Sequence, residues 1–243
     1  MEGYGPSTYG DRIADVYDGF YDDRLDTDGA VETLADLAGS GPVLELAIGT
    51  GRLALPLAER GLEVHGIDAS EAMVAKLREK PGGDKIPITM GDFADVGVDG
   101  RYSLIFVGFN TFFALNSQAD QVRCFANVTE HLAEGGVFVL EAFFPDLARF
   151  DRGQRPHVTI VETDRVMIDA AKHDPVEQRV VSSHVVITEA GTKLYPVSIR
   201  YAFPAELDLM ARLAGLELQN RWGGWRREPF TADSQRHVSV YGR

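Results

Sequence analysis

Cysteine is almost absent: Cys124 is the single thiol, which excludes an internal disulfide and a cysteine-built zinc site. Long apolar runs are missing as well. The longest lies near Leu104 to Phe109, far short of the ~20 residues that cross a bilayer. Met1 to Arg12 lacks a basic start followed by an apolar stretch, so no secretory leader and no membrane partner are expected, and a cytoplasmic location is. Positive charge is scarce, with 24 Lys and Arg against 37 Asp and Glu and a net charge of −13. Such a surface repels a polyanion, which argues against nucleic acid as a partner. No repeat or low-complexity tract interrupts the chain. What remains is a globular composition, 44% hydrophobic over 243 residues, which suits one α/β domain with an insertion.

The order of elements follows from periodicity. Ile13, Val16, Tyr17, Phe20 and Tyr21 make one apolar helical face. A second helix near Ala30 to Ala38 stops at Gly39. Strands are then expected at Val43–Ile48, Leu62–Ile67, Ile86–Met90, Tyr102–Phe109 and Val137–Ala142, alternating with helices at Arg52–Arg60, Ser70–Lys80 and Gln118–Leu132. That alternation implies a parallel sheet. After Pro145 the pattern changes to successive strands, Val158–Ile168, Arg179–Thr188 and Lys193–Phe203, an antiparallel insertion. A helix at Ala205–Leu213 and strands near Leu216–Arg221 and His237–Tyr241 close the chain.

Four features carry chemistry. Glu45-Leu46-Ala47-Ile48-Gly49-Thr50-Gly51 joins the first strand to its helix; glycines there let a ligand approach the backbone, and a helix start favours anionic groups. Asp68 ends the second strand, 17 residues after Gly51, where an acid can accept both hydroxyls of a ribose. Asp92-Phe93 follows the third strand and suits an adenine edge and face. Gly108-Phe109-Asn110 ends the fourth strand, where strand order is expected to reverse and ligands bind. Gly49, Gly51 and Ala54 also satisfy a G-x-G-x-x-G/A fingerprint, which keeps a nicotinamide-dependent oxidoreductase as the rival. No Tyr-x-x-x-Lys pair is present to support that rival.

From Val43 to Asp95 the chain resembles the class I S-adenosylmethionine (SAM)-dependent methyltransferases, whose first motif is an acid followed by G-x-G-x-G; Ala47 stands at its first glycine. Tyr9, the run Ile13 to Asp18 and the strand-rich insertion are similar to small-molecule N-methyltransferases that dimethylate amino sugars. The resemblance implies a Rossmann-like seven-stranded sheet whose last strand is antiparallel, with a helical N-terminal lid and an antiparallel β insertion. The expected divisions are a lid at 1–40, the SAM-binding core at 41–144, the cap at 145–203 and the closing elements at 204–243. It implies SAM contacts from Tyr17, Glu45, Ala47, Gly49, Gly51, Asp68, Ala69, Met73, Asp92, Phe93 and Gly108, and acceptor contacts from Asn110 and Trp222. Tyr9, Glu141 and His184 are the candidates at the reacting atoms, with no metal. Methyl transfer to N, O or C of a small metabolite is the leading function, and a homodimer through the insertion is compatible with it. The amino-methylating enzymes for DNA adenine and protein glutamine carry Asn-Pro-Pro-aromatic after strand four; Asn110-Thr111-Phe112 lacks the prolines. A non-catalytic SAM- or nucleotide-binding module is the third reading.

Overall fold

The computed structural model describes residues 1–21 and 25–243; the part of the expected lid at residues 22–24 lies outside them. Strands β1 (Val43–Leu46), β2 (Val64–Asp68), β3 (Ile88–Met90), β4 (Tyr102–Val107), β5 (Leu132–Phe143), β10 (Glu217–Trp222) and β11 (Arg236–Gly242) form one sheet in the order β10-β11-β5-β4-β1-β2-β3. The first five are parallel, and β11 runs antiparallel between β5 and β10. Chain order reverses at β1, which pairs with β2 on one side and β4 on the other. Loops leaving β1 and β4 therefore part to opposite sides, and the crevice between them is where open α/β sheets bind ligands.

Helices cover both faces, which is why β1 is buried throughout and is apolar apart from Glu45. On one face α6 (Gln118–His131) and α7 (Pro204–Leu213) close over Leu44, Phe112, Phe125, Phe138 and Tyr241. On the other, α3 (Thr27–Ala38) and α4 (Ala54–Glu59) close over Val43, Leu104, Phe106 and Val139. Local chemistry sets the starts of these helices. Asp26 accepts the Gly29 amide ahead of α3, Ser70 accepts the Met73 amide ahead of α5 (Glu71–Arg78), and Ser117 accepts the Asp120 amide ahead of α6. Among the described residues no helix is long and apolar enough to cross a membrane.

Two readings of the sequence are corrected. The apolar stripe from Ile13 to Tyr21 is not one helix but two, α1 (Thr8–Ile13) and α2 (Tyr17–Tyr21). Between them the Val16 N–H donates to the Ile13 carbonyl, a tighter turn than an α-helix makes, and it bends the segment. The stretch Val158–Ile168 is not one strand but a hairpin between β6 (Gln154–Val161) and β7 (Arg165–Asp174). The polar run Glu162-Thr163-Asp164 turns the chain, with the Glu162 amide donating to the Arg165 carbonyl. With β8 (Arg179–Thr188) and β9 (Gly191–Arg200), the insertion is a four-stranded antiparallel sheet in sequential order.

Candidate active site

The crevice begins at the turn after β1, where Ala47, Gly49 and Gly51 have φ of 56°, 58° and 80°. Only glycine enters that region freely, so the alanine at 47 costs roughly 1–2 kcal/mol that a glycine would not. The turn is tied to β2 by Asp68, whose carboxylate accepts the Gly49 N–H at 2.7 Å and the Ser70 N–H at 2.8 Å. Gly51 serves the turn itself: a Cβ there would sit 3.0 Å from Leu77.

A cavity of about 320 Å³ opens above these turns. Part of its wall is Asp68, Ala69, Met73, Asp92 and Phe93, the roof is Tyr4, Tyr9 and Tyr17, and the rest includes Asn116 and Asp120 at the start of α6 with Arg179 and Ser198 of the cap. A recess of about 30 Å³ shares Tyr17, Ala47, Gly49 and Thr111 with it, and Glu45, Arg52, Gly108 and Phe109 are among its other lining residues.

Two acids in this region are buried at a cost. Burial is the largest influence on Asp68 and raises its pKa, against the lowering effect of the Ser70, Gly49 and Ala69 amides. Burial likewise raises Glu45 to about 8, with Asp68 pushing the same way and Arg52 and the Ala54 amide pulling down. Glu45 Oε2 is buried with no hydrogen-bond partner. A native fold rarely leaves such an atom without a partner, be it water, an ion or a ligand.

The roof is fastened to the floor by its acids. Gly10 of α1 lies against Ser70, where a Cβ would be 2.6 Å from the serine Cβ, and the Ser70 hydroxyl donates to Asp11 at 2.6 Å. Asp15 pairs with Lys76 at 3.0 Å. On α2, Asp18 accepts the Thr50 hydroxyl at 2.6 Å and pairs with Lys80 at 2.6 Å, while Lys80 also donates to the Thr50 carbonyl. Tyr9 and Tyr21 share a hydrogen bond of 2.8 Å, and Tyr21 packs edge-on against Phe109.

Several expected residues stand elsewhere. Glu141 is buried and does not face the cavity as a base; it accepts the Phe109 N–H at 2.6 Å and the Trp225 indole. It thereby holds Phe109 at φ 57°, an uncommon conformation for a bulky side chain. Asn110 accepts the Phe143 N–H at 2.7 Å, so its carbonyl is used on the backbone. His184 is bonded to Asp169 and packs on Phe20, behind the roof. Trp222 packs into the α3–α4 face of the core beneath Arg227, away from both cavities. Arg52, Tyr4, Tyr21 and Arg179 enter the site without having been singled out, and Phe109 was noted only as part of its strand-end motif. Tyr21 lay in the apolar stripe and Phe109 at the end of a strand, so their positions were visible while their partners were not.

Residues 43–136 match the family model described as a methyltransferase domain. Over 204 residues the chain is 31% identical to the cypemycin N-terminal methyltransferase of a Streptomyces species, covering 83% of this chain and 82% of the relative. The CcbJ methyltransferase of Streptomyces caelestis is 44% identical, with a TM-score of 0.91 over 98% of each chain. The chain belongs to the class I SAM-dependent methyltransferases. A SAM-bound amino pentose methyltransferase of Micromonospora echinaspora shares the fold, at 21% identity and a TM-score of 0.69 over 93% of this chain and 95% of its own. SAM is thus the methyl donor of this methyltransferase, and the nicotinamide and non-catalytic readings are not favoured. The residues present fit the donor: an orphaned buried carboxylate oxygen at Glu45 suits an ammonium group.

The Asp18 latch titrates. Burial raises its pKa, but the hydrogen bonds and charges of Lys80, Thr50 and Arg52 outweigh that and hold it below the usual 3.8. Its contribution is therefore present above that value and is lost as pH falls through the lower folded one. The pair is more than one-third exposed on the Asp18 side, so the latch is worth about 1 kcal/mol at most. Asp18→Asn should raise tryptic cleavage after Arg12 by up to about fivefold at neutral pH, and the wild-type should approach the variant's rate, measured with an acid-active protease, below the ordinary carboxylate range. Equal rates at neutral pH would show that Asp18 does not fasten the roof.

Proposed function

We propose that this methyltransferase moves the methyl group of SAM to an amine nitrogen of a small molecule. The observation that carries the choice of nitrogen is that, among the described residues, each acid or phenol on the cavity wall is already engaged or neutral. Tyr4, Tyr9 and Tyr17 are phenols whose pKa is raised, burial being the largest cause in each, so they remain protonated. Each oxygen of Asp68 already accepts a backbone amide, Asp92 accepts the Ala94 N–H at 2.9 Å, and Asp120 accepts the Ser117 hydroxyl at 2.6 Å and Arg123 at 2.7 Å. A hydroxyl acceptor would need a base here, whereas a neutral amine already carries the lone pair it attacks with. The N-terminal methyltransferase relative points to the same element.

In this reading the free oxygen of Glu45 takes the ammonium of SAM and Arg52 its carboxylate. Asp68 takes the ribose hydroxyls and Asp92 the adenine amino edge, with Met73 and Phe93 against the base. Ala47, Gly49, Ala69 and Gly108 offer backbone at close approach. Bound there, SAM supplies a methyl carbon made electrophilic by its sulfonium. The chain's own part is alignment and exclusion of water: Tyr17 covers the turn, and Tyr9, steadied by Tyr21, meets the incoming amine. Glu141 acts through Phe109 as a positioning residue, and His184 supports the roof through Phe20.

Two measurements test this. Calorimetry should show Asp68→Asn binding SAM at least about tenfold more weakly, since each charged hydrogen bond to a hydroxyl is worth about 1.5–3 kcal/mol; unchanged affinity would remove Asp68 from the cofactor. A panel of primary and secondary amines with their matched alcohols, assayed for demethylated SAM, should turn over amines alone, faster as pH rises through the acceptor's own pKa. Turnover of the alcohols in place of the amines would overturn the nitrogen assignment.

A further inference from the structure

Arg179 opens β8 and faces Arg200 of β9 in the ladder, yet only one of the two guanidiniums is fully engaged. Arg200 is buried and donates to Gln121, Gln178 and Glu206 at 2.6, 3.0 and 2.7 Å. Arg179 lines the main cavity. Its Nη2 makes one long hydrogen bond, 3.3 Å to the Ser198 hydroxyl oxygen, and its Nε is buried with no partner. Among the described residues no carboxylate pairs with it, in a chain where acids outnumber bases by 37 to 24.

Its surroundings fix the direction of donation. Asn116 Nδ2 donates to the Ala114 carbonyl at 2.8 Å, which leaves Asn116 Oδ1 to accept the Ser198 hydroxyl proton at 2.5 Å. Ser198 therefore has only lone pairs left for Arg179, and the relay ends at the guanidinium as a donor. The Nε–Nη2 edge is the one that grips a carboxylate side-on elsewhere in this molecule: Arg165 holds Glu162 at 3.0 and 3.2 Å, and Arg226 holds Asp26 at 2.8 and 2.9 Å, through the same two nitrogens. At Arg179 the Nε of that fork has no partner and its Nη2 makes only the long bond to Ser198, and a buried donor left unmade is costly.

We infer that Arg179 is a specificity residue that docks a carboxylate of the methyl acceptor side-on, so that the acceptor is an amine bearing a carboxylate. This rests on the methyl-transfer reading and narrows its substrate class. Arg179 is the one basic side chain among the described residues that line the cavity, whose carboxylates are Asp68, Asp92 and Asp120, the last already held by Arg123. A planar two-oxygen acceptor matches the fork, and a carboxamide of equal size does not.

The test uses the full chain saturated with S-adenosylhomocysteine, titrated with matched acid and amide probes: L-proline with L-prolinamide and L-leucine with L-leucinamide. At least one acid should bind about tenfold or more tightly than its amide, a preference that charge-assisted pairing supports. Arg179→Met should abolish the preference, Arg179→Lys should keep part of it, and neither should change the affinity for S-adenosylhomocysteine. Equal binding of acids and amides in the wild type, a preference that survives Arg179→Met, or weakened S-adenosylhomocysteine binding in that variant would each overturn the inference. Failure of S-adenosylhomocysteine to bind the wild type would instead refute the methyl-transfer reading.

Discussion

The bond from the Gly49 amide to the Asp68 carboxylate, 2.7 Å long, holds the site together. It fastens the turn after β1, where three residues sit in left-handed conformation, to the end of β2. The other oxygen of the same carboxylate takes the Ser70 amide. Ser70 then starts α5 by accepting the Met73 amide and gives its hydroxyl proton to Asp11 of the roof. Floor, wall and roof are in this way referred to one side chain. The cost is a buried acid whose pKa burial raises, repaid only when donors surround it.

Most of the fold was legible because parallel strands buried on both faces write continuous apolar runs, with helices between them. The glycine turn, Asp68 and Asp92-Phe93 were legible for a different reason. Their chemistry depends on the end of one strand and the few residues after it. The rest depends on partners far apart in the chain. Glu141 finds Phe109 across 32 positions and so serves the backbone. Trp222 and Trp225 look equivalent in sequence and pack on the same face of the core, yet Trp225 is buried and reaches Glu141 while Trp222 is half-buried beneath Arg227. Arg179 and Arg200 both read as strand arginines, and only helices α6 and α7 supply Arg200 with Gln121 and Glu206.

Charge explains how an acidic protein serves a cationic cofactor. The net charge of −13 is expressed inside as well as outside: Glu45 and Asp68 are both buried beside the turn. Asp68 adds to the cost of ionising Glu45, whose pKa it raises on top of burial. A ligand that brings positive charge into the recess relieves that cost. The phenols overhead stay neutral and add no competing charge.

The central claim is that the unpaired oxygen of Glu45 is held for the ammonium of SAM. In the free protein the carboxyl, at about 8, is protonated near neutrality; a cation beside it favours the ionised form, so binding must expel the proton. Calorimetry of SAM binding at about pH 6.5, where the ligand's own α-amino group is already charged, should be run in buffers of different ionisation enthalpy. The account predicts release of about one proton, absent in Glu45→Gln. Binding of SAM to the wild type with no proton release would contradict it.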